Sequence, residues 1–242
     1  MKLQTVGLCA LTLALAACGS SAEETNPTDE TAAAPAPVEE EPSLADLATS
    51  AEGPYAPEDQ CTGLYGFDSF RGQLRRTVTF RDAKGLAALA DPAIKLDFGG
   101  TSGVEALTSK VEADPELWDD MADVLALGCA SESETSATMP AFFATMPKDV
   151  DGTSAYLVTA NDAPVYTDAE GTTPGDATIS WDLVKLVGDA PAEGAELAEV
   201  ATLDGKTTGY MKLSQLRSAI DYRILANRGD DGWKITAFVA GD

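Results

Sequence analysis

The 242-residue chain contains no histidine. That absence excludes Ser-His-Asp and Cys-His catalysis and most zinc sites, which need an imidazole as base or ligand. Bases are scarce: 16 Lys and Arg stand against 40 Asp and Glu, a formal net charge of −24. Such a balance does not neutralise phosphates, so it argues against nucleic acid as a partner and also against a second, electrostatic contact with anionic lipid. The four cysteines include no C-x-x-C pair, which removes the usual redox and metal spacing. Glycine loops are present without the residues that would make them functional. Gly99-Gly100-Thr101-Ser102-Gly103 precedes a helical stretch but lacks the lysine of a phosphate loop. Asp149-Val150-Asp151-Gly152 fails as a calcium loop because Pro147 and Val158 fall at its first and last ligand positions. No metal, cofactor or catalytic set is expected.

What is present begins with Lys2 and an apolar run from Val6 to Ala17, too short to span a bilayer and patterned as a secretory signal. Leu15-Ala16-Ala17-Cys18 resembles a bacterial lipobox. The resemblance implies removal of residues 1–17 and acylation of Cys18, hence attachment to a membrane through an N-terminal lipid. Gly19 after the cysteine, in place of Asp, resembles the pattern of Gram-negative outer-membrane lipoproteins facing the periplasm. With Cys9 removed and Cys18 lipidated, Cys61 and Cys129 form a single pair in an oxidising compartment, and a disulfide is expected.

Residues 18–59 are rich in Ala, Pro, Glu and Thr, with eleven acids and no Lys or Arg between Gly19 and Gln60. They read as an extended, disordered tether, interrupted at most by a brief helical turn at Ser43 to Leu47. Residues 60–150 read as an α+β region. Ser69 is placed to cap a helix carrying Phe70, Leu74 and Val78, and Asp82 a second one through Leu86 and Leu89. Ile94, Leu96 and Phe98 alternate as a half-buried strand closed by Gly99-Gly100. Helices are expected over residues 104–113 and from Asp114-Pro115, the latter with an apolar stripe of Leu117, Met121, Val124 and Leu125 and a stop at Gly128. Met139 to Phe143 reads as a short apolar connection.

Within residues 153–217, segments 156–159, 163–167, 179–187, 197–203 and 209–213 carry β-branched or aromatic residues between turn signals, including Gly188-Asp189-Ala190-Pro191 and Asp204-Gly205. Five short strands point to a closed antiparallel barrel. Ala163-Pro164-Val165-Tyr166 and Asp204-Gly205-Lys206-Thr207-Thr208-Gly209-Tyr210 resemble the opening and closing segments of a bacterial SH3 domain, with one extra Thr and with Met211 in place of Val. The resemblance covers about a quarter of the chain and implies an SH3-like barrel. Asp97 to Gly103, Leu117-Trp118 and the Pro/Phe segment resemble the region preceding such barrels in other bacterial proteins, and that resemblance carries no activity. Residues 218–242 alternate as a hairpin about Gly229-Asp230-Asp231-Gly232, expected to return and pair near Ile94 to Phe98. The fold class is thus α+β with a small barrel inserted.

Tyr156, Tyr166, Trp181, Tyr210 and Tyr222 admit two readings. Either they line a recognition groove, with Tyr166 and Tyr210 as its ligand-binding residues, or Trp181 and Tyr210 are core and the others partly exposed packing. The functional expectation is a lipid-anchored envelope binding protein, without enzymatic activity, that recognises cell-wall peptide in peptidoglycan or a protein partner. The alternatives are a carboxylate-dependent glycan hydrolase, which needs two acids in contrasting environments, and a purely structural scaffold.

Overall fold

Phe67, Phe70, Leu74 and Val78 recur at three- and four-residue intervals and are all buried, and this stripe organises the helical layer. The computed structural model describes residues 43–188, 191–192 and 194–241. The expected signal (1–17), the lipidated Cys18, tether residues 18–42 and the centre of the 188–191 turn lie outside the described residues. Helices α1 (Leu44–Thr49), α2 (Phe67–Thr79), α3 (Ala83–Leu89), α4 (Val104–Ala113), α5 (Leu117–Ala126) and α6 (Ala141–Thr145) combine with twelve strands in an α+β architecture.

The larger sheet has the order β1 (Ala90–Lys95), β12 (Gly232–Val239), β11 (Arg223–Gly229), β3 (Ser136–Met139), β2 (Ala130–Ser133). The β1–β12 pair is parallel and the others antiparallel. Its core joins α2 to α5 with β11 and β12, where the Phe67 ring meets Trp233 edge-on at 4.8 Å between centroids. The Cys61–Cys129 disulfide lies in this core.

Several expectations need correction here. Helix α2 starts at Phe67 with Gly66 at its cap, not at Ser69, because Phe67 itself is wholly buried against Trp233. The strand expected at Ile94 to Phe98 lies four residues earlier. Beyond Lys95 the chain folds back, with Leu96 N–H donating to Thr101 O (3.0 Å), and Phe98 is 59% exposed. The β2–β3 hairpin was not expected, since Ser131 to Thr135 offers no apolar alternation.

The disorder expected of residues 43–59 is not found. Leu44, Leu47, Ala51 and Tyr55 pack against a core containing Leu127, Phe142, Leu157, Trp181 and Leu183. Tyr55 N–H donates to Trp181 O (2.8 Å) and Asn161 donates from Nδ2 to Ser50 O (2.6 Å). Residues 43–59 therefore belong to the fold.

Between α6 and β11 the chain forms a second sheet, in one compact unit with the first. It contains β4 (Ala155–Val158), β5 (Ala163–Tyr166), β6 (Pro174–Ile179), β7 (Leu183–Leu186), β8 (Leu197–Thr202), β9 (Thr208–Lys212) and β10 (Leu216–Ser218), in the order β10-β4-β7-β8-β9-β5-β6, all antiparallel. The expected five-stranded closed barrel is thus an open seven-stranded sheet. The single strand expected at 179–187 is two, broken at Trp181, whose φ of 42° turns the chain out of the ladder. Val158, Val165, Ile179, Val184, Val200 and Met211, one from each of β4 to β9, form one buried cluster with Leu216 of β10 against it. No helix contributes to that cluster, so the strands must curl around it to exclude water, without bonding β6 to β10.

Candidate functional site

Alternation along β5 and β9 decides which side chains face out. Val165 and Met211 are buried, so their neighbours Tyr166 and Tyr210 project from the opposite face, where both are half-exposed. The register sets Tyr166 directly opposite Tyr210. The row continues on both sides, with Pro174 opposite Tyr166 and Glu199 opposite Tyr210. Val187, 40% exposed, adjoins it through its N–H to Glu199 O (2.9 Å). Cross-strand partners stand about 5 Å apart at Cβ, so the two tyrosines are neighbours in a row that crosses four strands, without a ring-to-ring contact among the described residues. Gly209 makes the approach of β9 to β5 possible, since a Cβ there would lie 2.6 Å from Val165 Cγ1.

The other three aromatics are packing residues. Trp181 is fully buried, Tyr156 packs against the small-sheet core, and Tyr222 stacks on Phe238 at 4.5 Å with Lys110 above it at 5.2 Å. The reading of Tyr210 as core is corrected by its place on the outer face. Sequence spacing suggested both tyrosines; their pairing is a property of register that spacing does not contain.

A cluster not expected from the sequence lies where the small sheet returns to the larger one. Helix α5 presents half-buried Asp120 and Asp123, three residues apart, to the segment containing Arg217 and Asp221. Arg217 is buried, contacts Asp221 Oδ2 from Nη1 at 3.3 Å and donates from Nη2 to Tyr222 O at 3.0 Å. Burial, with the charges of Asp221, Asp123 and Asp114 adding to it and Arg217 opposing, pushes the Asp120 carboxyl up to about 6. Burial likewise raises Asp123, against Arg217 and with Asp221 and Asp119. A carboxyl in that range could exchange protons near neutrality. These acids line none of the four principal hollows among the described residues.

The linkage has a definite sign. A carboxyl with a folded-state value above its unfolded value holds its proton more tightly when folded, so stability falls as pH rises from about 4 through 6. Asp120→Asn is therefore expected to stabilise the protein at pH 7 by on the order of 1 kcal/mol, after discounting for its solvent contact, and to do little at pH 4. Thermal unfolding of both proteins at the two pH values checks this. Equal differences at both would remove the electrostatic explanation.

A hollow of about 530 Å³ lies between α1, α2 and α5, with Val78, Leu125 and alanines on its walls. At its edge Arg71 pairs with Asp59 at 2.7 Å. Burial works to raise the Asp59 carboxyl, but hydrogen bonds from Arg71 and Thr62, with the arginine's charge, bring it below the usual range. The Asp151 carboxylate is taken up locally, accepting from Thr153 N–H at 3.0 Å. Among the described residues no group of three or more Cys, Asp or Glu could hold a metal ion, and no helix is long and apolar enough to cross a membrane.

No family model matches the chain, and no curated protein matches it. A solved structure from Nostoc punctiforme, a domain of unknown function with a cystatin-like fold, is similar over 72% of this chain and 73% of that one, at 11% identity and a TM-score of 0.26.

Proposed function

We propose that this chain is a non-enzymatic, lipid-anchored protein of the Gram-negative envelope, held at the outer membrane through Cys18. In this reading its SH3-like small sheet binds an extended peptide, the stem peptide of the cell wall or a segment of a protein partner. The observation that carries the binding reading is the register that sets Tyr166 opposite Tyr210 on an outward face. Exposed, neighbouring tyrosines offer large contact area at low ordering cost, the usual anchors of peptide recognition. The open sheet places this row on a broad face suited to a chain lying across it. The lipobox resemblance supports the address.

The test is co-sedimentation of the full chain, carrying Cys18→Ser to remove any lipid, with purified peptidoglycan sacculi. Saturable binding is expected, weakened about tenfold in Tyr166→Ala or Tyr210→Ala with the fold intact. Absence of binding at low and moderate salt would eliminate the wall peptide and leave the protein partner. A glycan hydrolase remains the second reading because Asp120 is held at about 6. It requires release of reducing sugar from sacculi that disappears in Asp120→Asn.

A further inference from the structure

Five of the chain's 16 basic residues fall between positions 71 and 84, along α2, at the corner that follows it and in the first turn of α3. Arg71 is neutralised by Asp59 and Asp68, and Arg81 by Asp119 at 2.9 Å. Arg75, Arg76 and Lys84 have no carboxylate within ion-pair distance among the described residues. Phe80, the last residue before the corner, is 77% exposed. The other exposed rings carry a cation: Arg228 stands 5.5 Å from the Tyr65 ring centroid and Arg223 5.5 Å from that of Phe98. Phe80 has neither a ring nor a cation against it among the described residues.

The geometry fixes this arrangement. Arg76 in the last turn of α2 and Phe80 at its C-cap are four residues apart and share a hollow of about 340 Å³ with Gln73, Ala88 and Leu89. Lys234 Nζ donates to Ala88 O at 2.6 Å on the same side of α3. Arg81 holds the corner with φ of 50°, its side chain drawn back to Asp119, so Phe80 is left projecting. Asp82, outside any ion pair among the described residues, stands at the N-cap position of α3 without a side-chain capping bond and lines the same hollow, where the helix dipole partly offsets its charge. The corner is cationic and aromatic on a molecule whose total charge is −24.

We propose that this corner docks on an anionic phospholipid surface, with Phe80 entering the headgroup region and Arg75, Arg76 and Lys84 meeting lipid phosphates. Exposed aromatic side chains beside Lys and Arg suit the membrane interface, where the ring leaves water and the cations keep their phosphate partners. Charge complementarity is local, because at physiological salt a charge is felt over about 8 Å. The acidic remainder of the surface therefore does not cancel the corner. The proposal requires nothing of residues 1–42 and nothing of the Tyr166–Tyr210 pair.

The experiment is vesicle flotation of the full chain carrying Cys18→Ser, with phosphatidylglycerol-rich and phosphatidylcholine vesicles. Wild-type protein is expected to float with the former, and the partition should fall about 25-fold in R75Q/R76Q, a fivefold loss for each charge. Phe80→Ala, a change at an exposed position, should weaken partition to the same vesicles, and 0.5 M salt should remove most of it. Circular dichroism confirms that each variant is folded, and sacculus binding should be unchanged, which separates this proposal from the preceding one. Equal flotation of wild type and R75Q/R76Q would overturn it. So would failure to float accompanied by capture on immobilised polyglutamate, which would assign the corner to an acidic protein.

Discussion

Replacement of Cys61 and Cys129 together by alanine is expected to lower the unfolding free energy by about 4 kcal/mol in the chain-entropy model and the melting temperature by about 10 °C. The bridge closes a separation of 68 residues, so most of its effect is on the unfolded chain. Both sulfurs lie in the main core, and the bridge joins the segment leading into α2 to the residue just past α5 and its Gly128 turn. The native contact does not depend on the bridge alone. Gln60 N–H donates to Cys129 O and Cys129 N–H to Glu58 O, both at 2.8 Å. The double variant should therefore keep the native fold in circular dichroism while its urea midpoint falls. Dithiothreitol should reproduce the shift in the wild type and add nothing in the variant. Coincident urea midpoints for oxidised wild type and variant would refute the assignment of stability to the bridge.

The parts of the fold that could be read in the sequence are those whose cause is local. The α5 stripe of Leu117, Met121, Val124 and Leu125 has a period near 3.6, and all four are buried. Punctuation by Pro115 and Gly128 brackets that helix to within a few residues. The tether boundary failed because residues 50–59 are held by backbone bonds and close packing, which composition does not encode. Gly53 shows this: a Cβ there would collide with Ser180 O. The strand break at Trp181 failed for a related reason, since nothing in Ile179-Ser180-Trp181-Asp182 signals a positive φ on a Trp.

The site divides in the same way. Aromatic identity at Tyr166 and Tyr210 was visible, and the turn at Asp204-Gly205 placed the second on a strand. Their adjacency depends on β9 reaching across to β5, past three intervening strands of sequence, and pairing is a long-range property. The Asp120, Asp123, Arg217 and Asp221 cluster was invisible for the opposite reason. With 40 acids in the chain, only burial distinguishes these from the rest.

Trp181→Ala is expected to cost 3–5 kcal/mol, roughly the range for truncating a fully buried large aromatic side chain. Trp181 is completely excluded from solvent and sits where three segments meet: the small sheet through Leu157 and Leu183, the α5 exit and α6 through Leu127 and Phe142, and residues 44–56 through Leu44, Leu47 and Tyr55. Its removal leaves a cavity that all three border, and the backbone at φ 42° stays unfavourable for alanine. The indole Nε1 has no hydrogen-bond partner among the described residues, so part of the native burial is opposed by an unpaired donor. Trp181→Phe, which removes that donor and keeps most of the ring, should therefore cost much less, about 1–2 kcal/mol. The two substitutions give an ordering that chemical denaturation can read directly. Loss of packing at this junction should also free residues 44–56 before the rest unfolds, because their backbone contact to the small sheet passes through Trp181 O and Asn161. Hydrogen exchange at the Tyr55 amide should accelerate in Trp181→Ala while amides of the β11–β12 ladder keep the protection set by global stability. Uniform acceleration across both regions would mean that the 44–56 segment is not a separately releasable unit, and a cost below about 1 kcal/mol would mean that Trp181 is not the packing centre of this junction.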